Sequence, residues 1–253
     1  MSFEVPAESY DRFMGRYSTH LSAQLADLAG VASGQRVLDV GCGPGILTAE
    51  LVRRLGPEAV TAIDPSEHFV AATRERQPRI RVERGVAEAL PFPDGEFDAA
   101  IAQLVVHFMT DPVAGLREMA RVGRSGGVVA ACAWDHAPGG RGPLSPYYLA
   151  LHEFDPSQPA ESGRPGTREG HLVELFAAAG IRDVEQATLT VRVEHPSFEE
   201  WWEPFTLGVG PNATYIASLD REGLERLREL CRATLPPEPF AIEARAWAAR
   251  GLA

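Results

Sequence analysis

The chain of 253 residues contains no lysine; all 24 of its basic residues are arginine. That absence excludes chemistry built on a Schiff-base lysine or on the lysine of a phosphate-binding P-loop. Cysteine is scarce: Cys42, Cys132 and Cys231 are widely spaced and include no Cys-x-x-Cys pair. Neither a disulfide framework nor a cysteine-rich zinc site follows from such a set, and a reducing, cytoplasmic setting is the expectation. No run comes near the roughly 20 apolar residues that span a bilayer. The amino-terminal stretch MSFEVPAESYDRFMGRYS carries acids before any apolar run, which argues against secretion and membrane insertion. Positive charge is also in deficit. With 35 acidic residues the net charge is −11, which repels phosphate backbones and anionic lipid unless a local patch overrides it. The one candidate patch, Arg74, Arg76, Arg79, Arg81 and Arg84, is interrupted by Glu75 and Glu83 and has no interleaved aromatics. It reads as a solvated surface, so no nucleic-acid partner is expected. The seven histidines form no His-Glu-x-x-His motif and no His/Cys cluster, and no metal is expected.

What is present has the proportions of a soluble globular protein, 45% apolar and 23% charged residues. From Ser33 to Cys132 short β-branched runs alternate with amphipathic segments of helical length, the signature of βαβ units and a parallel sheet. Strands are predicted at Arg36 to Val40, Ala59 to Ile63, Arg79 to Glu83, Phe97 to Ala102 and Gly127 to Ala133. Helices are predicted at Ile46 to Leu55, Glu67 to Arg76 and Pro112 to Val122, the last with Asp111 as N-cap and proline at its first position. After Trp134 the Gly/Pro-rich stretches APGGRGPLSPYY and DPSQPAESGRPGTREG flank a short helix around Tyr147 to Phe154 and read as an insertion. A helix at Glu169 to Ala179, a strand within Ile181 to Glu194, helices at Glu199 to Phe205 and Asp220 to Thr234, and a final strand at Phe240 to Ala249 complete the chain. Two closing strands joined without a crossover would be antiparallel neighbours. One domain is expected over 1–253: a helical cover over 1–32, a core over 33–133, and insertions over 134–170 and 195–238.

The strand RVLDV runs into GCGPG, whose glycines let the backbone turn tightly and approach a ligand at the carboxyl end of the first strand, where open α/β sheets bind ligands. A dinucleotide fingerprint needs glycine at the sixth place of G-x-G-x-x-G, but that place holds Ile46, which weakens a nicotinamide reading. The second strand ends VTAIDPSEHF and sets Asp64 at its tip, 23 residues after Gly41, where a carboxylate accepts from both hydroxyls of a ribose. The competing role for Asp64 is a turn or helix N-cap, which Ser66 can also supply.

VLDVGCGPG, Asp64 and GVAEALPFPDGEFDAAIAQ together resemble the class I S-adenosylmethionine-dependent methyltransferases. The likeness is to the small-molecule branch related to the ubiquinone and menaquinone biosynthesis enzymes, and it spans residues 36 to 133. It implies a Rossmann-like α/β fold, a doubly wound seven-stranded sheet of order 3-2-1-4-5-7-6 with strand 7 antiparallel. It implies S-adenosyl-L-methionine as cofactor and S-adenosyl-L-homocysteine as product. Carried over by position, Gly41, Cys42 and Gly43 line the methionine end, with Asp39 orienting the amino group, and Asp64 holds the ribose. Pro65 and Phe69 flank the adenine, Ala87 and Glu88 reach its polar edge, and Gln103 and Leu104 floor the pocket near the methyl. Val86 departs from the family, which usually has an acid or amide there, so Val86→Asp is expected to tighten cofactor binding. YDRFMGRYS resembles a covering helix with Tyr10, Arg16 and Tyr17 as candidate cofactor contacts; the alternative is a helix that merely packs Phe13 and Tyr17 on the core.

Methyl transfer from a sulfonium is an in-line displacement with a good leaving group, so positioning and water exclusion supply much of the acceleration and a base is optional. His107, just beyond the fourth strand, is the candidate base, its competing role being to cap or pack the next loop. Substrate contacts are expected from Trp134 and His136, from Tyr147 and Tyr148, and from Trp201, Trp202 and Phe205, with at least one of the paired tryptophans anchoring a cover helix. Such lining suits a small aromatic or apolar acceptor methylated on O, N or C, bound by a monomer or homodimer. Two other readings stand beside it: a cofactor-binding sensor or inactive subunit, and a nicotinamide-dependent oxidoreductase.

Overall fold

A computed structural model describes residues 7–158, 163–208 and 213–253. Its amino-terminal segment is helical: α1 (Ala7–Tyr10), a π-helical turn (Asp11–Gly15) and α2 (Arg16–Leu28). There follow β1 (Val37–Val40), α3 (Ile46–Leu55), β2 (Val60–Asp64), α4 (Glu67–Arg76), β3 (Arg81–Arg84), β4 (Phe97–Gln103), α5 (Pro112–Val122) and β5 (Gly123–Trp134). The remainder is α6 (Ser145–Phe154), α7 (His171–Ala178), β6 (Arg182–His195), α8 (Phe198–Trp202), a 3-10 turn (Glu203–Leu207), α9 (Ala213–Ser218), α10 (Arg221–Thr234) and β7 (Phe240–Leu252).

The seven strands form one sheet of order β3-β2-β1-β4-β5-β7-β6, as the resemblance implies. The first five are parallel, and β7 runs antiparallel to both β5 and β6. Successive side chains of a strand enter opposite layers. Val37 and Ile101 pack under α2 and α3, whereas Leu38, Ala100 and Ala102 pack under α5 and α7. Both layers are covered, so β1 is buried throughout, as a central parallel strand must be. Alanines Ala130, Ala131, Ala246, Ala248 and Ala249 let β5 and β7 lie between the two layers.

Helix ends follow local chemistry. Ser66, Asp111, Ser197 and Asp220 each accept a backbone N–H in the first turn of α4, α5, α8 and α10. The three helices expected in the core have their anticipated limits. Strand limits differ more. β5 begins at Gly123 because Gly123 pairs with Phe97 across a register shift, and β7 continues to Leu252 because Leu252 pairs with Val128 and Arg182. Both extensions come from cross-strand bonding, which Gly and Arg in the sequence do not signal. The segment expected as one helix at Glu199 to Phe205 is α8 followed by the 3-10 turn, and α9 is an additional helix.

Candidate active site

The carboxyl ends of β1, β2 and β4 meet beneath the amino-terminal helices. Gly41 has φ +71°, and a Cβ there would lie 2.5 Å from the Val105 side chain, so the turn out of β1 requires glycine. The Gly41 and Cys42 N–H groups both donate to the Ile63 carbonyl, at 2.8 and 3.0 Å, which ties the turn to β2. Gly43 has φ +54°, and a Cβ there would meet nothing within 4 Å, leaving its backbone open to the cleft. Thr73 of α4 donates to the Gly43 carbonyl (2.8 Å) and Arg76 to the Pro44 carbonyl (3.0 Å). Cys42 lines the same cleft and also packs with Ala62, Val70 and Val82 in a small core.

Asp64 is buried at the tip of β2. One oxygen accepts from Gly43 N–H and the other from Ser66 N–H, both at 2.8 Å. Two of about four acceptor positions remain, one on each oxygen, which is the arrangement a vicinal diol needs. Burial raises its pKa against the pull of these two N–H groups. Asp39 is buried beside it and accepts from the Thr48 hydroxyl at 2.6 Å, while its second oxygen has no partner among the described residues. Burial and the neighbouring Asp64 push Asp39 up to about 7, with the Thr48 bond opposing.

Gln103 closes the floor from β4. Its amide N–H donates to the Ser18 carbonyl at 3.2 Å, and its oxygen has no partner among the described residues. Asp39, Gly41, Gly43 and Gln103 line one cavity of about 30 Å³, with Tyr10 and Ser18 above them. Two unpartnered buried oxygens facing one cavity call for a ligand that donates hydrogen bonds, since leaving each unmade costs about 1–3 kcal/mol. Leu104, next in line, has φ +62° and donates its N–H to the Cys132 carbonyl. A leucine in that region carries about 1–2 kcal/mol of strain, of the kind that gathers at functional sites.

The outer residues divide. Phe69 packs edge-to-face on Tyr10 at 5.7 Å, and Asp11 pairs with Arg76, so the amino-terminal segment is fastened to α4 above the loop. Burial pushes the Tyr10 phenol up to about 12. Pro65 is exposed and its carbonyl accepts from Arg84. Val86 is 45% exposed just beyond Gly85, whose N–H donates to the Asp64 carbonyl. Ala87 and Glu88 turn elsewhere: Ala87 packs beneath Gly115 of α5, and the Glu88 carboxylate accepts the Thr110 and Asp111 N–H groups. The Glu88 side chain is thus engaged by the turn ahead of α5, which leaves backbone groups of Ala87 and Glu88 for the expected adenine contact.

Tyr17 follows the alternative of a helix packed on the core, and Arg16 is paired at the same end. They face the far end of the sheet, where Tyr17 Oη lies 2.9 Å from His195 Nε2 and Arg16 pairs with Glu200. The helical turn between Tyr10 and Tyr17 puts Ser18, not Tyr17, over the cofactor loop. His195 and Glu200 are residues that the sequence reading missed. The visible signal was a histidine closing the sixth strand.

His107 is buried, and its Nδ1 has no partner among the described residues. Burial, followed by the fields of His136 and Arg164, pushes it down to about 3, so the imidazole is neutral throughout the physiological range. A base so far below neutrality is poorly matched to proton abstraction at pH 7, so its burial favours the alternative role of packing the next loop. His136 is held down at about 4 by the same burial. His107, His136, Tyr148 and Tyr147 form a chain of edge-on rings, 6.4, 6.0 and 5.5 Å between successive centroids. Tyr147 stacks on Phe205 at 4.9 Å, and Trp201 lies 4.7 Å from the same ring. Both Trp201 and Trp202 are buried in this cluster, so both anchor the cover.

The strand order is that of the Rossmann-like methyltransferase fold, with the cleft at the carboxyl ends of β1, β2 and β4. Comparison with known proteins agrees. Residues 38–131 match the family model described as a methyltransferase domain, and the resemblance read from the motifs holds over that segment. The chain is 34% identical over 152 residues to 2-methyl-6-phytyl-1,4-hydroquinone methyltransferase 2, chloroplastic, of Oryza sativa subsp. japonica, covering 59% of this chain and 40% of that one. It spans about two fifths of the length of the curated hydroquinone methyltransferases it matches. Among solved structures, the YcgJ protein from Bacillus subtilis superposes with a TM-score of 0.59 at 21% identity, covering 92% of this chain and 97% of that one. Geranyl diphosphate methyltransferase in complex with SAM superposes with a TM-score of 0.54 at 16% identity, over 94% and 87% of the two chains.

Proposed function

We propose that the protein is an S-adenosylmethionine-dependent methyltransferase acting on a small aromatic or apolar metabolite. The observation that carries the reading is the pairing of Asp64, with one acceptor position left on each oxygen, and a cavity where Asp39 Oδ1 and Gln103 Oε1 lack partners. Asp64 would accept the ribose hydroxyls. Asp39 and Gln103 would accept from the amino group of the methionine end, and Gly41 and Gly43 keep side chains out of its path. Pro65, Phe69 and Val86 would border the adenine. The bound cofactor supplies an electrophilic methyl on a sulfonium sulfur. The chain's own part is to hold the acceptor in line and dry, which the buried rings of Trp134, Tyr147, Trp201 and Phe205 suit. His107 is assigned as a neutral hydrogen-bonding group at that boundary.

The hydroquinone relatives make hydroxylated aromatic rings the first acceptors to assay. Calorimetry with S-adenosylmethionine, S-adenosylhomocysteine and NAD, followed by transfer of a labelled methyl to a panel of hydroquinones, catechols and naphthols, tests the reading. Binding of the two adenosyl compounds and not of NAD, with label in a product, supports it. NAD binding, or adenosyl binding with no transfer to any acceptor, counts against it. Among the described residues no helix is long and apolar enough to cross a membrane; the cytoplasm remains our proposed compartment.

A further inference from the structure

α2 carries three aliphatic hydroxyls, Ser18, Thr19 and Ser22. A hydroxyl inside a helix commonly bonds back to the carbonyl four residues earlier. Two of the three do so, Thr19 to Gly15 at 2.9 Å and Ser22 to Ser18 at 2.8 Å. Ser18 does not. It is 1% exposed, and its Oγ has no hydrogen-bond partner among the described residues. The Tyr10 phenol feels the nearby Ser18 hydroxyl, but the two stop short of hydrogen-bond geometry. Four residues before Ser18 lies Met14, inside the π-helical turn that precedes α2, a distortion of the kind found at functional sites. Ser18 is nevertheless firmly placed: its carbonyl accepts from the Ser22 hydroxyl and, at 3.2 Å, from the Gln103 amide. Gln103 Oε1 and Asp39 Oδ1 are likewise without partners among the described residues, and all three side chains line the same cavity.

We infer that Ser18 is a specificity-determining residue of the cofactor site, its hydroxyl donating to the carboxylate of an α-amino-acid group whose ammonium is taken by Asp39 and Gln103. The inference rests on the methyltransferase reading and deepens it by stating which part of the ligand the amino-terminal helix reads. The cavity is about 30 Å³, room for about two water-sized groups. That suits the charged head of an amino acid and not an adenosyl group, for which Asp64 stands on the other side of Gly43. The lining supplies both kinds of hydrogen bond. The oxygens of Gln103 and of ionised Asp39 only accept, which matches an ammonium, whereas a carboxylate needs a donor and a serine hydroxyl is one. Tyr10, from the segment ahead of α2, lines the same cavity, so an amino-acid head placed there bridges the amino-terminal helices and the β1 loop. An adenosyl compound without the carboxylate keeps Asp64 and loses Ser18. The site thereby discriminates among adenosyl thioethers by their amino-acid end.

Three thioethers that differ at that end are the probes for calorimetry. S-adenosylhomocysteine carries carboxylate and ammonium, its decarboxylated analogue the ammonium alone, and methylthioadenosine neither; the wild type is expected to bind them in that order of affinity. Ser18→Ala should weaken S-adenosylhomocysteine about tenfold, as for a lost hydrogen bond to a charged group, and leave the other two unchanged. The unliganded variant should melt no lower than the wild type, because the hydroxyl it removes has no partner among the described residues. Thr19→Ala, whose hydroxyl serves Gly15, should leave all three affinities as they are. Should Ser18→Ala not fold, Ser18→Cys, of similar size with a weaker donor, takes its place and should also weaken S-adenosylhomocysteine alone. Equal S-adenosylhomocysteine affinity in wild type and variant, or a loss of the same size for all three probes, overturns the inference and leaves the methyltransferase reading in place. A wild type that binds none of the three removes that reading and the inference with it, so the two failures are distinguishable.

Discussion

The segment of residues 37–103 and the cover built from the amino-terminal helices and residues 144–154, 198–208 and 213–234 are held by different forces. In the first half every site group is positioned by short links between a strand end and a neighbouring loop: Asp64 to Gly43, Asp39 to Thr48, Gly41 to Ile63. In the cover the positioning is done by rings from distant segments. Phe205 touches Phe13 from the amino terminus (5.2 Å), Tyr147 from α6 (4.9 Å) and Trp201 from α8 (4.7 Å). Backbone geometry thus sets the site proposed for the methyl donor, and apolar packing sets the wall proposed for the acceptor. A fixed donor and a replaceable acceptor wall follow, because side-chain volume changes more freely than a strand register.

The largest expected effect tests the cover side. Phe205→Ala removes the ring that joins three segments and should destabilise the protein by about 3–5 kcal/mol in denaturant unfolding, with the stability loss far outweighing any change in cofactor contacts. Asp64→Ala shifts the balance towards binding: losing the acceptor of the Gly43 and Ser66 N–H groups should cost about 1–3 kcal/mol, less than Phe205→Ala, while S-adenosylmethionine affinity falls about 100-fold. Calorimetry and a melting curve on the two variants separate the halves; equal loss of binding in both would erase the distinction.

Acidity gives a smaller effect within the cofactor half. Asp39 has a folded-state pKa of about 7, above its unfolded value, so ionising it costs stability that is present in acid and lost as pH rises through 7. An ammonium group on the ligand favours the ionised form. Affinity should therefore rise with pH up to about 7 and level off, falling below that by at most about tenfold per unit. Binding near pH 6.5 should release a proton, seen as a dependence of the calorimetric heat on buffer ionisation. Asp39→Asn should remove both effects, which distinguishes it from Asp64. The smallest expected change is Val86→Asp at the exposed rim, a few-fold gain in affinity worth about 1 kcal/mol; unchanged or weaker binding would detach Val86 from the adenine.

The two halves were not equally legible. The glycine loop, Asp64 and the three core helices follow from residues close in sequence, since a tight turn demands glycine and a helix cap demands Ser or Asp at one position. Asp39 was placed by resemblance, but its Thr48 partner was not, because a contact nine residues away across a turn has no periodic signature. The partners of the Glu88 carboxylate are illegible for a similar reason: they are N–H groups at 110 and 111, beyond a loop and a strand. His107 looked like a base only while its surroundings were unknown. Burial beside His136 and Arg164 keeps it neutral.

By itself the sequence determined the sheet, its order through the family likeness, and the glycine turn and Asp64 at the ends of β1 and β2. All of these arise from local backbone demands and from hydrophobic period. The tertiary structure alone decided that Tyr17 leaves the cofactor for His195, 178 residues away, and that Phe205 collects rings from three segments. Such contacts depend on how helices seat on a finished sheet, and on which charges burial then allows, so they exist only once the chain has folded.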